Sequence, residues 1–457
     1  MTDEALASFV ADLDRADLPA SVVERASLVV ADTIGAVLGG ASDPAVAALA
    51  RRWADENGGE STVMGTAGER TTAYRAAFVN AAAGSVLELD EGHRFAAGHP
   101  AIHVLPALLA DGESAYRSGD EFLTAFVAGY EAAVRAAQTV VPLADGLHPH
   151  GVWGGVGTAA AVARLRGLDA ETTLDAMRMA ANYAQHTRFE AATEGATVRN
   201  GYVGMSNLSG LLAVDQAESG FTGLDDGVAR HLEPVAADGP DRSALADELG
   251  ERWELERGYF KVHAACRYTH AALDAVALLV DETGVDAADI ESVSVETYPA
   301  AAALSEPAPA NALQAKFSIP FAVASALTTG ETGKEAFTDE ALTKTALGFA
   351  RRVDVVATEE FAARAPDERG ARVTVETGDG ERYAREVRAA RGGERDPFTE
   401  SELRAKFDRL VAPVIGDGGV DGLWTAATEP AAPACSAPSL GPEHPRHSPR
   451  PLRPLRP

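Results

Sequence analysis

Residues 86–110, VLELDEGHRFAAGHPAIHVLPALLA, place a dense group of ionisable side chains between two apolar runs. Gly92, Gly98 and Pro100 interrupt a regular helix in this stretch. It is therefore predicted to be a loop between two helices, where functional residues concentrate. We interpret this loop as one wall of an active site, and its ionisable residues are Glu88, Asp90, Glu91, His93, Arg94, His99 and His103.

Helical periodicity extends to both sides of the loop. Apolar residues recur at helical spacing in residues 21–38, 43–55, 71–85, 118–140 and 168–186. Many of these positions are alanine or glycine, which allow helices to approach closely. The first 260 residues are therefore predicted to be helical.

The pattern changes near residue 285. Residues 291–298, ESVSVETY, alternate between apolar and polar as a strand does, and residues 371–389 read as a hairpin. Helices are predicted between these strands at about 312–329 and 338–347. An amphipathic helix returns at residues 400–411.

We predict from this order a mainly α protein, because 457 residues also exceed what one core usually holds. A large all-helical domain would comprise residues 1–265 and 393–425, with a smaller inserted α+β domain of residues 266–392. Residues 426–457 are rich in proline and are predicted to be a disordered tail.

The charge of the chain excludes one class of partner. It carries 68 Asp and Glu against 40 Lys and Arg, a net charge of −28, whereas nucleic-acid binding needs a basic surface. Only five of the basic residues are lysine. Acid-rich, Lys-poor surfaces suit a high-salt cytoplasm and predict a halophilic protein. A high-GC genome that replaces Lys with Arg is the alternative explanation.

The number of cysteines and the hydropathy of the chain limit which cofactors and which cellular location we expect. Two cysteines, Cys266 and Cys435, can supply neither a disulfide framework nor the ligands of an iron–sulfur cluster. The acidic N-terminus, MTDEALASF, does not resemble a signal peptide, and no run of about 18 uncharged apolar residues occurs. We expect a cytoplasmic protein with no membrane contact.

Two further clusters carry ionisable groups. HPHGVWGGVG places His148 and His150 on a loop that opens a helix, and its glycines do not have the spacing of a phosphate-binding loop. YFKVHAACRYTH contains Lys261, Arg267 and His270. Lys261 is the first lysine of the chain, and lysine can lose its proton where arginine cannot. Arg199, in ATVRNGYVG, is a further candidate cation.

Structural roles compete with functional ones for each of these residues. A single histidine is as consistent with a hydrogen-bonded helix end, and Lys261 with an ordinary surface position. His99 and His103 have the spacing of a metal pair, but Pro100 favours a helix that starts between them, and HExxH is absent. We therefore predict no metal site at this pair.

The clusters together predict one kind of chemistry. Carboxylates, histidines, lysine and arginine, without a nucleotide loop, suit proton transfer beside a substrate carboxylate, while cations hold an anionic substrate. The expected ligand is a small polycarboxylate.

The chain resembles the MmgE/PrpD family over about residues 5–412. The matching pieces are LELDEGHRFAAGHP, HPHGVWGGVGTAAAVARLRGLD, FKVHAACRYTHAALDA, AKFSIPFAVASAL and PFTESELRAKFDRL. The family includes 2-methylcitrate dehydratases, cis-aconitate decarboxylases and iminodisuccinate epimerases. The resemblance implies a helical domain built from two chain segments, an inserted α+β lid, a homodimer, and a cofactor-free site between lid and helical domain.

The resemblance also implies roles for single residues. His99, His148 and Lys261 match functional family positions, and the acid of the first loop matches Glu88 or Asp90. Arg199 stands where the family has a lysine, and Gly92 or His93 where it has a threonine. We predict Asp90, His99, His148 and Lys261 to be catalytic, and the substrate to be bound by Glu88, His93, Arg94, His150, Arg199, Arg267 and His270.

The function predicted from these residues is a cofactor-independent hydro-lyase, similar to 2-methylcitrate dehydratase. The alternatives within the family are a cis-aconitate-type decarboxylase and a dicarboxylate epimerase. A metal-dependent hydrolase and a non-catalytic carboxylate-binding protein are the alternatives from other classes.

Overall fold

A computed structural model describes residues 2–54, 58–114 and 117–429. Helices account for 59% of the residues and strands for 10%, which confirms the prediction of a mainly α protein. The helices are α1 (Thr2–Asp12), α2 (Ala20–Gly40), α3 (Pro44–Trp53), α4 (Ala73–Val86), α5 (Pro100–Gly112), α6 (Gly119–Gln138), α7 (Gly154–Arg166), α8 (Ala170–Asn182), α9 (Glu190–Thr193), α10 (Tyr202–Glu218), α11 (Gly227–Leu232), α12 (Arg267–Thr283), α13 (Pro299–Ala302), α14 (Ala312–Lys316), α15 (Ile319–Thr329), α16 (Lys344–Ala350), α17 (Glu359–Arg364), α18 (Glu400–Ile415) and α19 (Asp417–Thr428).

The strands form three small sheets. They are β1 (Ser61–Thr62), β2 (Arg70–Thr71), β3 (Gly92–His93), β4 (Gly258–Tyr259), β5 (Ile290–Thr297), β6 (Val353–Ala357), β7 (Ala371–Thr377) and β8 (Arg382–Val387). The first two sheets are the antiparallel pairs β1–β2 and β3–β4, and the third has the order β6-β5-β7-β8. In this third sheet β5 and β6 are parallel and the other pairs antiparallel, so the predicted β7–β8 hairpin is confirmed.

Several helices crowd together at small residues, because large apolar side chains are few. At the α6–α7 contact, a Cβ atom on Gly157 would lie 2.8 Å from the carbonyl oxygen of Gly129. Such backbone approach buries every residue of α6 from Leu123 to Ala137, including Phe126 and Tyr130. These helices position the loops that open α5 and α7.

The C-terminal helices pack against helices near the N-terminus. α18 packs on α2, where Leu410 lies against Gly39 and Lys406 Nζ donates to Asp32 Oδ1 at 2.6 Å. Lys406 also donates to the carbonyl oxygen of Leu89 at 2.6 Å, and so ties α18 to the loop that follows α4. The chain between them forms the four-stranded sheet. The domain boundaries at residues 265 and 392 stay predictions.

A second apolar core lies between this sheet and helices α12 and α15. Its strand residues alternate along β5 and β7, as Val293, Val295, Val373 and Val375 show. α12 contributes Val276 and its neighbours to the same core. No helix in the described ranges is long and apolar enough to cross a bilayer.

Three details of the fold correct the sequence predictions. The helix expected at 312–329 is broken, because Ser318 caps α15 by accepting a hydrogen bond from the Phe321 amide and Pro320 follows at the helix start. At 338–347 the chain forms one 3₁₀ turn, Asp339–Ala341, before α16 begins at Lys344. α19 reaches Thr428 because Trp424 packs on Phe407, so residues 426–428 are not part of a tail. The remaining tail from residue 430 lies outside the described residues.

Candidate active site

Four segments far apart in the sequence meet beside the N-terminus of α5. The loop after α4 carries Glu88, Asp90 and His99, and α5 begins at Pro100, as predicted. The short β3–β4 pairing brings the segment of residues 258–261 against this loop. The loop before α7 and the turn before α10 supply the rest of the cluster, which is His148, His150 and Arg199.

Glu88 is held between two cations. Its carboxylate forms an ion pair with Arg199, and Lys261 Nζ lies 3.4 Å from Glu88 Oε2 and donates to the Glu88 carbonyl oxygen at 2.7 Å. All three side chains are buried. Burial raises the pKa of Glu88, but the charges of Arg199 and Lys261 outweigh it and lower that pKa. The group therefore holds one net positive charge out of water.

Asp90 and His99 form a carboxylate–imidazole pair. Burial raises the pKa of Asp90, but the charge and hydrogen bond of His99, together with Lys261, lower it to about 2. Because an ionised carboxylate can only accept, His99 Nδ1 donates to Asp90 Oδ2 at 2.7 Å. This bond leaves His99 Nε2 as the nitrogen that can give or take a proton.

Three more imidazole rings lie edge-to-face beside His99 and one another. The ring of His150 lies 4.8 Å from that of His99, 4.6 Å from His148 and 5.1 Å from His103, between centroids. Burial holds the pKa of His148 and of His150 well below the ordinary value and lowers that of His103 to about 3. These three rings are therefore neutral near pH 7. A Cβ on Gly154 would lie 2.2 Å from His103 Nδ1, so glycine is needed there.

Neutral His148 and neutral His99 carry their protons on different ring nitrogens. The backbone N–H of His150 donates to His148 Nδ1 at 3.1 Å, so neutral His148 carries its proton on Nε2. Neutral His99 carries its proton on Nδ1. The cluster thus offers one imidazole N–H donor and one imidazole acceptor.

The sequence matches two family models that together include all four segments of the cluster except residues 258–261. Residues 4–231 match the MmgE/PrpD N-terminal domain and residues 263–422 match the MmgE/PrpD C-terminal domain. The chain belongs to the MmgE/PrpD family. The predicted resemblance is confirmed.

Three relatives of this MmgE/PrpD chain carry related names. The cis-aconitate decarboxylase-like protein oryM of Aspergillus oryzae is 27% identical over 446 residues, which cover 90% of each chain. A cis-aconitate decarboxylase of Aspergillus terreus is 26% identical over 278 residues, 57% of this chain and 56% of the relative. The Homo sapiens cis-aconitate decarboxylase is 29% identical over 237 residues, 48% and 49% of the two chains. Family and relatives support a lyase, without singling out 2-methylcitrate dehydration.

Four of the residues predicted to bind substrate lie outside the central cluster of this MmgE/PrpD protein. His93 Nε2 donates to the Glu254 carbonyl oxygen at 3.0 Å, and burial lowers its pKa to about 4. His270 donates to the Ala265 carbonyl oxygen at 3.1 Å. Arg94 and Arg267 donate to the carbonyl oxygens of Asp367, Ala390 and Arg391 at 2.7–2.8 Å. The other three, Glu88, His150 and Arg199, lie within the cluster.

Lys316 is a cation that the sequence reasoning missed. It is 5% exposed and donates to the Phe337 carbonyl oxygen at 3.2 Å. Burial lowers its pKa to about 8, while the charge of Glu88 opposes that shift, which places Lys316 near the cluster. The available signal was its position in AKFSIPF, one of the pieces that match the family.

The donor set is not arranged around a metal ion. In the part of the chain that the structure describes, no three His, Cys, Asp or Glu side chains are placed to hold one. Cys266 is buried, and burial raises the pKa of its thiol to about 11.

Proposed function

We propose that this protein is a cofactor-independent lyase that removes carbon dioxide from a small unsaturated tricarboxylate such as cis-aconitate. The observation that carries the proposal is the buried Asp90–His99 pair beside the cations of Lys261 and Arg199. The substrate class is suggested by the names of the relatives, one of which aligns with 90% of the chain.

The central cations have donors left for substrate. Arg199 Nε is buried and has no hydrogen-bond partner among the described residues. Lys261 has three N–H groups and uses two of them toward the carbonyl oxygen and Oε2 of Glu88, which leaves one. Charge-assisted bonds to a substrate carboxylate would satisfy these donors in a site of low dielectric.

The proton-transfer step follows from the two imidazoles. The bond from carbon to the leaving carboxylate breaks, and its electron pair spreads over the double bond and a neighbouring carboxylate. His99, protonated on Nε2 and held by Asp90, then forms the new C–H bond by giving up that proton. His148 Nε2–H hydrogen-bonds a carboxylate that stays on the product. One proton from solvent restores His99 in each cycle.

Dehydration of a hydroxylated substrate such as 2-methylcitrate is the second candidate. Asp90 Oδ1 is buried and has no hydrogen-bond partner among the described residues, and a substrate hydroxyl would supply a donor to it. In that reaction neutral His99 takes a proton from carbon on Nε2 and passes it to the departing hydroxyl, which leaves as water, while the His148 N–H holds a substrate carboxylate. The same residues serve both reactions.

All the central side chains are at most 7% exposed, so substrate entry needs a movement of the surrounding segments. A homodimer and a cytoplasmic location belong to the same proposal, because the family resemblance implies the first and the composition the second.

A substrate panel tests the proposal. EDTA-treated protein is incubated at low and high salt with cis-aconitate, citrate, 2-methylcitrate and smaller hydroxy- and amino-dicarboxylates, and the products are weighed by mass spectrometry. Loss of carbon dioxide from cis-aconitate is expected. Loss of water from 2-methylcitrate alone would favour the second candidate, and activity that EDTA abolishes would contradict both. Ligand-induced stabilisation without turnover would indicate a binding protein.

A further inference from the structure

Three arginines lie close together outside the buried cluster. Arg369 Nη2 donates to the Arg94 carbonyl oxygen at 3.4 Å. Burial lowers the pKa of both Arg94 and Arg267, and the positive charge of Arg369 adds to both shifts. Each of the three is partly exposed, so solutes can reach them from solvent.

These guanidinium groups have no carboxylate partner within 4.0 Å among the described residues. Arg94 and Arg267 donate to backbone carbonyl oxygens, and the charge of Asp367 acts on Arg94 from a greater distance. Each guanidinium also lies over an aromatic ring, at 4.4 Å from Phe95 for Arg94, 4.4 Å from Tyr259 for Arg267 and 5.8 Å from Tyr268 for Arg369. The arginines therefore concentrate positive charge in a protein of net charge −28.

The position of this group connects it to the central cluster. Arg94 follows Asp90 on the same loop, and Arg267 follows Lys261 on the same segment. Arg369, on the turn before β7, donates to the Arg94 carbonyl oxygen, and its charge acts on Arg267. The two loops that carry the central residues thus also carry a second set of cations nearer to solvent.

We propose that Arg94, Arg267 and Arg369 form an outer anion site that binds a carboxylate of the substrate before it enters the buried cluster. The identity of the ligand as substrate rests on the proposed function. The site itself requires only a small polycarboxylate, because guanidinium forks match planar carboxylates. Half-buried cations are also screened by salt less than exposed ones.

Kinetics give the first test. Arg369→Gln is expected to raise KM about tenfold and to change kcat less, since one charge-assisted contact is lost. Arg382→Gln is the matched control, because Arg382 is exposed at the far end of the β7–β8 hairpin and pairs with Glu376. The control should leave KM and kcat unchanged. A fall in kcat with unchanged KM in Arg369→Gln would overturn the inference.

Binding gives a second test that does not depend on turnover. Propane-1,2,3-tricarboxylate, which has neither hydroxyl nor double bond, is titrated calorimetrically into Lys261→Ala protein, where the central cluster is weakened. Residual binding is expected, and adding Arg369→Gln should weaken it about tenfold. Adding Arg382→Gln should not. Equal affinity in all three proteins, or no residual binding, would show that no outer site exists.

A structural role is separated by a conservative variant. If Arg369→Gln lowers the melting temperature of the protein, Arg369→Lys replaces it, because lysine keeps the charge and loses the fork. Arg369→Lys should therefore bind the tricarboxylate more weakly than the parent and more tightly than Arg369→Gln. Loss of affinity equal to that of Arg369→Gln, in a folded protein, would mean that charge is not what the site supplies.

Discussion

Asp90 and Glu91 are neighbours in the sequence and are equally buried, yet Asp90 is ionised near pH 7 and Glu91 is protonated. Asp90 faces His99 and Lys261, and its pKa falls to about 2. Glu91 faces α6, where it accepts hydrogen bonds from the hydroxyl of Tyr130 and the amide of Ala101, and burial raises its pKa to about 8. Burial alone does not set the charge of a carboxyl group. The partner on the facing element does.

The same comparison separates chemistry from packing. The side of the loop that holds Asp90 gathers ions and imidazoles, whereas the side that holds Glu91 joins the helical core. We expect substitutions on the first side to affect turnover and those on the second to affect stability.

The largest expected effect is on turnover. Asp90→Asn and His99→Ala should each lower kcat by about 10²–10⁴-fold, because the imidazole loses its carboxylate or is removed. Glu91→Gln should stay within about threefold of the parent, as should His186→Ala, whose histidine is exposed. The measurement is steady-state turnover on the substrate that the panel identifies. Equal losses in Asp90→Asn and Glu91→Gln would erase the proposed difference between the two sides.

The next effect is on stability at the central ion pairs. Glu88→Gln leaves Lys261 and Arg199 buried without a carboxylate and should lower the free energy of unfolding by about 3–5 kcal/mol. Glu376→Gln removes a carboxylate that is partly exposed beside Arg382 and should cost less than about 1 kcal/mol. Urea denaturation of both variants measures the difference. A cost for Glu88→Gln no larger than for Glu376→Gln would show that the cluster is open to water.

A further effect concerns the pH dependence of stability. The folded protein keeps a proton on Glu91 up to about pH 8, whereas the unfolded chain loses it near the ordinary pKa of 4.5. The stability that this carboxyl contributes therefore falls as pH rises from about 5 to 8, by at most about 1.4 kcal/mol per pH unit. Glu91→Gln should remove this fall, so the parent and the variant diverge in that range.

Urea melts at pH 5, 6.5 and 8 check the pH effect. An unchanged pH dependence in Glu91→Gln would mean that Glu91 is ionised in the fold, as Asp90 is. Asp90→Asn serves as the opposite case. In the parent, the pKa of Asp90 is lowered to about 2 in the fold, so this carboxylate contributes stability above the pKa of the unfolded chain. That contribution is lost only as pH falls toward 2.

Periodicity predicted most of the fold, and local chemistry explains where it failed. The long helices follow apolar residues at helical spacing, and the β7–β8 hairpin follows a strict alternation. α19 was missed because its sequence contains several glycines, and the packing of Trp424 on Phe407 overrides that propensity. The break before α15 depends on one serine cap.

The site was predicted as clusters but not as contacts. The sequence marked Asp90, His99, His148 and Lys261, but Lys261 meets the carbonyl of Glu88 across 173 residues of chain. That meeting depends on the β3–β4 pairing, which has two residues in each strand and no periodic signal. Charge density likewise did not distinguish the inner residue Arg199 from Arg94 and Arg267, which lie further out.

One measurement tests the central claim that His99, held by Asp90, gives a proton to carbon without a cofactor. EDTA-treated protein converts cis-aconitate in D₂O, and the product is analysed by mass spectrometry beside that of His99→Ala. The account predicts a product that has lost carbon dioxide and gained one deuterium at carbon, formed at least about 10²-fold more slowly by His99→Ala. A product that has added water instead of losing carbon dioxide, or equal rates in the two proteins, would contradict it.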